Sequence, residues 1–116
     1  MEIISIQVFF TKKYAILYVE KNNMKNFTLT KCADILKTLG NVKRLEILYI
    51  LSEDELSVGQ LERAVKLSQS ALSQHLAILR KAKIVKTRRS AQTIFYSLSD
   101  DNVRAVLNEL LRIYGK

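Results

Sequence analysis

The chain has 116 residues, three glycines, no proline and one cysteine, Cys32. That length suits a single domain with a modest core; the scarcity of turn formers favours helices over a turn-rich sandwich, and a lone cysteine excludes an intramolecular disulfide and any multi-cysteine zinc site. Nineteen Lys and Arg against eleven Asp and Glu leave a formal charge of +8, which suggests an anionic partner, either nucleic acid or a membrane surface.

No apolar run approaches the roughly 18–20 residues that a membrane span needs. Glu2 stands where a signal peptide would carry a positive charge, and no small-residue cleavage site follows. These features, with the single cysteine, suit a reducing cytoplasm.

Residues 1–23 read as an N-terminal extension. Ile4, Ile6, Val8 and Phe10 alternate with their neighbours, and Tyr14 to Val19 is rich in strand formers. Two readings stand side by side: a β-prone segment that packs on the domain or on a partner, or a segment that is not native because translation begins at Met24. The domain itself is expected over residues 24–116.

Thr28 or Thr30 can cap a first helix that runs to about Leu39 with an apolar stripe of Leu29, Cys32, Ile35, Leu36 and Leu39, ended by Gly40. Asn41 can cap a second, Val42 to about Leu51, apolar nearly all round and therefore expected at the buried centre. Ser52 to Glu55 reads as an acidic, solvated connection. Ser57 caps a third helix, Val58 to Lys66, with Val58, Leu61 and Val65 inward.

Ser68 then caps a fourth helix that runs to about Ala82. Leu72, Leu76 and Leu79 fall on one side, and Ser70, Gln74, Ala77 and Lys81 on the other. Helix, short turn and helix make a helix–turn–helix unit. Ile84–Arg88 and Gln92–Leu98 read as a hairpin with its tip at Arg89-Ser90-Ala91, a wing. Ser99 is expected to cap a last helix, helped by Asp100 and Asp101 at its positive end. The apolar stripe of that helix is wider than one neighbour needs, so Val103, Val106, Leu107, Leu110 and Tyr114 are expected to serve a dimer interface as well as the domain. The fold class is mainly α with a small β wing: about five helices plus a hairpin, dimeric.

The charge gathers on this unit. Between Gln60 and Gln92 eight cations meet a single acid, Glu62. Ser and Gln side chains at a helix N-terminus reach base edges and phosphates in a major groove, and wing arginines reach phosphates or a minor groove. The expected DNA-binding set is Ser68, Gln69, Ser70, Ser73, Gln74 and His75 on the recognition helix, with Arg80, Lys81, Arg88, Arg89 and Gln92 toward the backbone. The alternative is a winged-helix interaction module with only non-specific DNA binding. No Ser/His/Asp or Cys/His set, no phosphate-binding Gly loop and no second histidine point to an enzyme, and no motif calls for a cofactor.

Four segments, LGNVKRLEILYIL (Leu39–Leu51), ELSVGQL (Glu55–Leu61), LSQSALSQHLAILRKAKIV (Leu67–Val85) and TRRSAQTIFYSLS (Thr87–Ser99), resemble the ArsR/SmtB family of bacterial winged helix–turn–helix regulators. The LSQSALSQHL run and a wing tip with Ala91-Gln92 are most similar to the HlyU/BigR subgroup. The resemblance implies a homodimer that binds an inverted-repeat operator in double-stranded DNA and controls transcription, as repressor or anti-silencer.

It also implies which sensors to look for. Family members hold metal through a cysteine pair around the third helix, where this chain has Ser57, or through Asp, His, His and Glu on the last helix, where it has Asp100, Asn102, Ile113 and Lys116. No metal is therefore expected. Tyr49 and Gly115 fall where the subgroup carries its two switch cysteines, so no dithiol switch is expected either. Cys32 reads either as a small apolar residue of the first helix's inner stripe or as a single-thiol sensor. His75 reads as a phosphate or base contact, consistent with the family's S-x-H-L pattern, or as a packing histidine.

Overall fold

The computed structural model describes residues 27–116, and its elements run α1 (Phe27–Leu39), α2 (Val42–Glu53), β1 (Leu56–Ser57), α3 (Val58–Val65), α4 (Gln69–Lys81), β2 (Val85–Ser90), β3 (Thr93–Leu98) and α5 (Asp101–Tyr114). The 1–23 extension and Met24, the alternative start, lie outside the described residues. The chain divides into two compact units, Met1–Ile35 and Leu36–Lys116.

Of the first unit only the start of α1 is described. Thr28 and Thr30 lie inside this helix rather than capping it, since helix propensity tolerates threonine in an interior and the capping preference is only a local bias. Leu29 and Cys32 are exposed, so Cys32 is not the buried hydrophobe that the stripe suggested.

In the second unit, side-chain caps set the helix starts. Asn41 Oδ1 accepts from the Arg44 N–H at 3.0 Å, and Ser68 Oγ from the Ala71 N–H at 3.2 Å. At Ser57 the exchange is reciprocal: its hydroxyl accepts from the Gln60 N–H at 3.2 Å, and Gln60 Oε1 accepts from the Ser57 N–H at 2.8 Å, a capping box. For α5 the cap is Asp100, not Ser99. The Asp100 carboxylate accepts from the Asn102 and Val103 N–H groups at 2.9 and 3.1 Å, and a charged acceptor is favoured over a hydroxyl at the positive helix end. Ser99 is used elsewhere: both its N–H, at 2.9 Å, and its hydroxyl, at 3.2 Å, donate to the Ile84 carbonyl.

The turn between α3 and α4 is closed by Lys66 in the left-handed region (φ 53°, ψ 49°), with its N–H on the Glu62 carbonyl. Lys43 Nζ bonds the neighbouring Val65 carbonyl at 2.9 Å. The Lys66 turn thus joins α3 and α4 in a helix–turn–helix arrangement, and Lys43 ties α2 to the end of α3.

Among the described residues the core is wholly apolar: Ile47, Leu48 and Leu51 of α2, Leu61 and Val65 of α3, Leu72, Leu76 and Leu79 of α4, then Leu39, Ile84, Val85, Leu98, Val103 and Leu107. Helix α2 is thus central, though not buried all round, since Val42 is 79% exposed. It also runs two residues past Leu51, taking Ser52 and Glu53 out of the expected acidic connection.

The wing is a three-stranded antiparallel sheet, ordered β1-β3-β2, rather than a two-stranded hairpin. Leu56 pairs with Tyr96 and Ser57 with Phe95; a strand of two residues has no alternation to read in a sequence. The hairpin turn is Ala91-Gln92, because β2 continues through Arg89 and Ser90 to pair with Ile94 and Thr93. Ala91 has φ 55°, the positive φ that the first position of the primed hairpin turns takes.

Helix α5 lays Val103 and Leu107, each 1% exposed, into the subunit's own core. That removes these two from the expected dimer face. Val106, Leu111, Ile113 and Tyr114 remain exposed and Leu110 half-buried.

Candidate nucleic-acid interface

Leu72, Leu76 and Leu79 anchor α4 with 0–3% exposure. The helix therefore presents a fixed outer face of Gln69, Ser70, Ser73, Gln74, Ala77, Arg80 and Lys81, all exposed. Amide and hydroxyl groups sit toward its N-terminal end and cations toward its C-terminal end, with no acid anywhere along it. Ser68 accepts a backbone hydrogen bond as the cap, which leaves its O–H free to donate outward.

Between this helix and the wing lies a cleft of about 390 Å³. Val58, Leu76, Ala77 and Tyr96 form its walls, with Ser73, Arg80 and Lys81 beside them. Tyr96 is half-buried there.

Strand alternation sorts the wing side chains onto two faces. Val85, Thr87 and Arg89 pair with Leu98, Tyr96 and Ile94, so Arg89 shares the Tyr96 face, that of the cleft. Lys86, Arg88 and Ser90 pair with Ser97, Phe95 and Thr93, on the opposite face. There Arg88 is committed within the protein. Its Nη2 donates to Glu55 Oε1 at 2.7 Å and its Nε to both Glu55 oxygens at 3.2 Å, and its guanidinium lies 4.6 Å from the Phe95 ring centroid. The hydrogen bond from Arg88, and then the charges of Arg88 and Lys86, hold the Glu55 carboxyl below its ordinary value against the opposing effect of burial.

His75 is half-buried at the edge of the outer face, with Nδ1 3.4 Å from Arg44 Nη1. Arginine can only donate, so Nδ1 is the acceptor and the proton sits on Nε2. Burial first, and the Arg44 charge second, push the His75 pKa below its ordinary value. Arg44 is itself fixed by donating from Nε to the Thr38 carbonyl at 2.6 Å. Neither Arg44 nor Glu55 was singled out as a site residue from the sequence. Each acts through a partner distant along the chain, which leaves no periodic trace.

A family model described as "Bacterial regulatory protein, arsR family" matches residues 41–87, from the α2 cap to β2. The transcriptional activator HlyU of Vibrio cholerae is 49% identical over 96 residues, 83% of either chain. The chain belongs to the ArsR family. As an ArsR-family protein it is a winged helix–turn–helix DNA-binding transcriptional regulator and not an enzyme. The crystal structure of NolR from Sinorhizobium fredii superposes with a TM-score of 0.74 at 49% identity, over 78% of this chain and 91% of that one. The homodimeric winged helix–turn–helix DNA-binding domain of a Mycobacterium bovis protein does so with a TM-score of 0.70 at 25% identity, over 77% of this chain and 82% of that one.

Among the described residues, no group of three or more His, Cys, Asp or Glu side chains is placed to hold a metal ion. The Ser57 hydroxyl and the Asp100 carboxylate are both engaged as helix caps, and Ile113 offers no donor atom. Tyr49, where the resemblance would place one switch cysteine, donates its hydroxyl to the Leu107 carbonyl of α5 at 2.8 Å. Among the described residues, no helix is long and apolar enough to cross a membrane.

Proposed function

We propose that the chain acts in the cytoplasm as a homodimer that reads an inverted-repeat operator through α4, with the exposed stripe of α5 as the dimer face. One observation carries this reading: the fixed outer row Gln69, Ser70, Ser73 and Gln74, flanked by Arg80 and Lys81 and free of acids. Gln74 can bond an adenine edge with both amide atoms. Ser68, through its free O–H, and His75, through Nε2–H, suit phosphates or base edges at the groove wall. Arg80, Lys81, Arg89 and Gln92 suit the backbone, whose curvature the cleft between α4 and the wing can follow. Val106, Leu110, Ile113 and Tyr114 recur at helical spacing on α5, and a homodimeric neighbour of the same fold supports their pairing with a second copy. Two copies would set the recognition helices about 34 Å apart, one DNA turn. Whether binding represses or relieves silencing depends on where the operator lies relative to a promoter.

The test separates base reading from backbone attraction. Gln74→Ala should lose about 1–3 kcal/mol at one base pair per half-site and bind random DNA as the parent does. Arg89→Gln should weaken all duplexes alike and flatten the salt dependence by about one counterion per subunit. Competition anisotropy on single-base operator variants reads both. Parental behaviour of both variants would remove this face from the DNA.

A further inference from the structure

The two wing arginines stand side by side in sequence and on opposite faces of the sheet. Ser57, Phe95 and Arg88 occupy one row across β1, β3 and β2. Arg88, on one edge strand, lies over Phe95 of the middle strand and grips both carboxylate oxygens of Glu55, the residue just before the other edge strand. The side chains span two inter-strand spacings, about 10 Å. Beyond these cross-sheet contacts the wing tip projects freely: Arg89, Ser90, Ala91, Gln92 and Thr93 are all exposed. A planar guanidinium suits this place, since it can fork onto a carboxylate and stack on a ring at once, which an ammonium cannot.

We infer that Arg88 is a positioning residue rather than a phosphate contact: with Glu55 and Phe95 it straps β2 to the start of β1 and so aims Arg89 and the wing tip at DNA. The inference rests on the reading of α4 and the wing as the DNA-facing surface. It also gives Glu55 a role opposite to the one its charge suggests. An acid beside a DNA-binding wing repels phosphates, so electrostatics alone makes Glu55→Gln bind more tightly. The strap makes it bind more weakly, because the wing loses its brace.

Two measurements test this. Amide hydrogen exchange on the free protein reads the brace without DNA, and anisotropy on the duplex that the parent selects from a random-sequence pool reads its consequence. In Glu55→Gln and in Arg88→Gln, the β2–β3 amides near the tip should exchange severalfold faster. Each variant should bind about fivefold more weakly, and the double variant no more weakly than the worse single, as expected for two residues acting as one unit. The salt slope should stay parental in all three, because Arg89 still reaches its phosphate in the bound state and only the cost of ordering the wing rises. Arg88→Lys should not restore affinity. Tighter binding by Glu55→Gln, a flatter salt slope in Arg88→Gln, or unchanged wing exchange in both singles would each overturn the strap. Arg89→Gln is the control for the underlying reading: if it too binds at parental affinity, the wing is off the DNA, and the exchange result alone then judges the brace.

Discussion

Leu72→Ala should destabilise the protein by about 2–5 kcal/mol, because it empties a fully enclosed site that its neighbours can refill only in part. Leu72 has no exposed surface and lies on the inner face of α4, in line with Leu76 and Leu79. Domains of this size are stable by only about 5–15 kcal/mol, so the loss is a large share of the total. Urea unfolding followed by far-UV circular dichroism should show a much lower midpoint. Ser73→Ala, one position along on the exposed side, should stay within about 0.5 kcal/mol of the parent. Equal midpoints for Leu72→Ala and the parent would mean that α4 does not dock through this face, and the outer row of Gln69, Ser70, Ser73 and Gln74 would lose its orientation with it.

The second large effect belongs to α5. Val106 is 38% and Ile113 47% exposed in the single chain, and both sit on the stripe assigned to the second copy. Val106→Glu with Ile113→Glu places two carboxylates per subunit into a surface that must lose its water on association, where unpaired charges are costly. Sedimentation should show a monomer. Operator affinity should fall about 10²-fold or more, because the second half-site is no longer engaged at a high effective concentration. The fold should persist, since neither side chain belongs to the core. A variant that remains dimeric with parental affinity would place the interface elsewhere.

Much of this architecture is legible in the residues because it is set locally. Asn41, Ser57 and Ser68 cap the helices they precede, as their side-chain chemistry dictates. The Leu72, Leu76, Leu79 spacing points α4 the right way round. Where the chain departs from expectation, a contact distant in sequence or a competing neighbour decides. Asp100 displaces Ser99 as a cap because Ser99 is drawn to Ile84. Val103 and Leu107 look the same as Val106 and Ile113 in a periodicity, yet the first pair faces the domain and the second faces out.

The candidate site shows the same division. The outer row of α4 follows from helical geometry alone. The separate places of Arg88 and Arg89 do not follow from composition, since both are wing cations. Only the register that pairs Arg88 with Phe95 and Arg89 with Ile94 tells them apart. Glu55 looked like a solvated acid of a connection, and its contact with Arg88, 33 residues away, is what removes it from that class. Cys32 departs in the opposite direction: an apolar stripe is evidence of burial only where another element packs on it, and Cys32 is exposed.

A surface that recognises DNA sequence, and does not merely attract phosphate, must tell one duplex from another. The most direct measurement is fluorescence anisotropy of the purified protein on the duplex upstream of its own gene and on a scrambled duplex of equal length, across a salt series around physiological strength. Binding to the native duplex should be about 10³-fold or more tighter than to the scrambled one. Affinity for both should fall steeply with salt, as a dimer neutralising roughly 6–10 phosphates requires. Equal, weak binding to both duplexes, repeated with the best sequence recovered from a random pool, would contradict it and leave a basic winged helix whose partner is a protein.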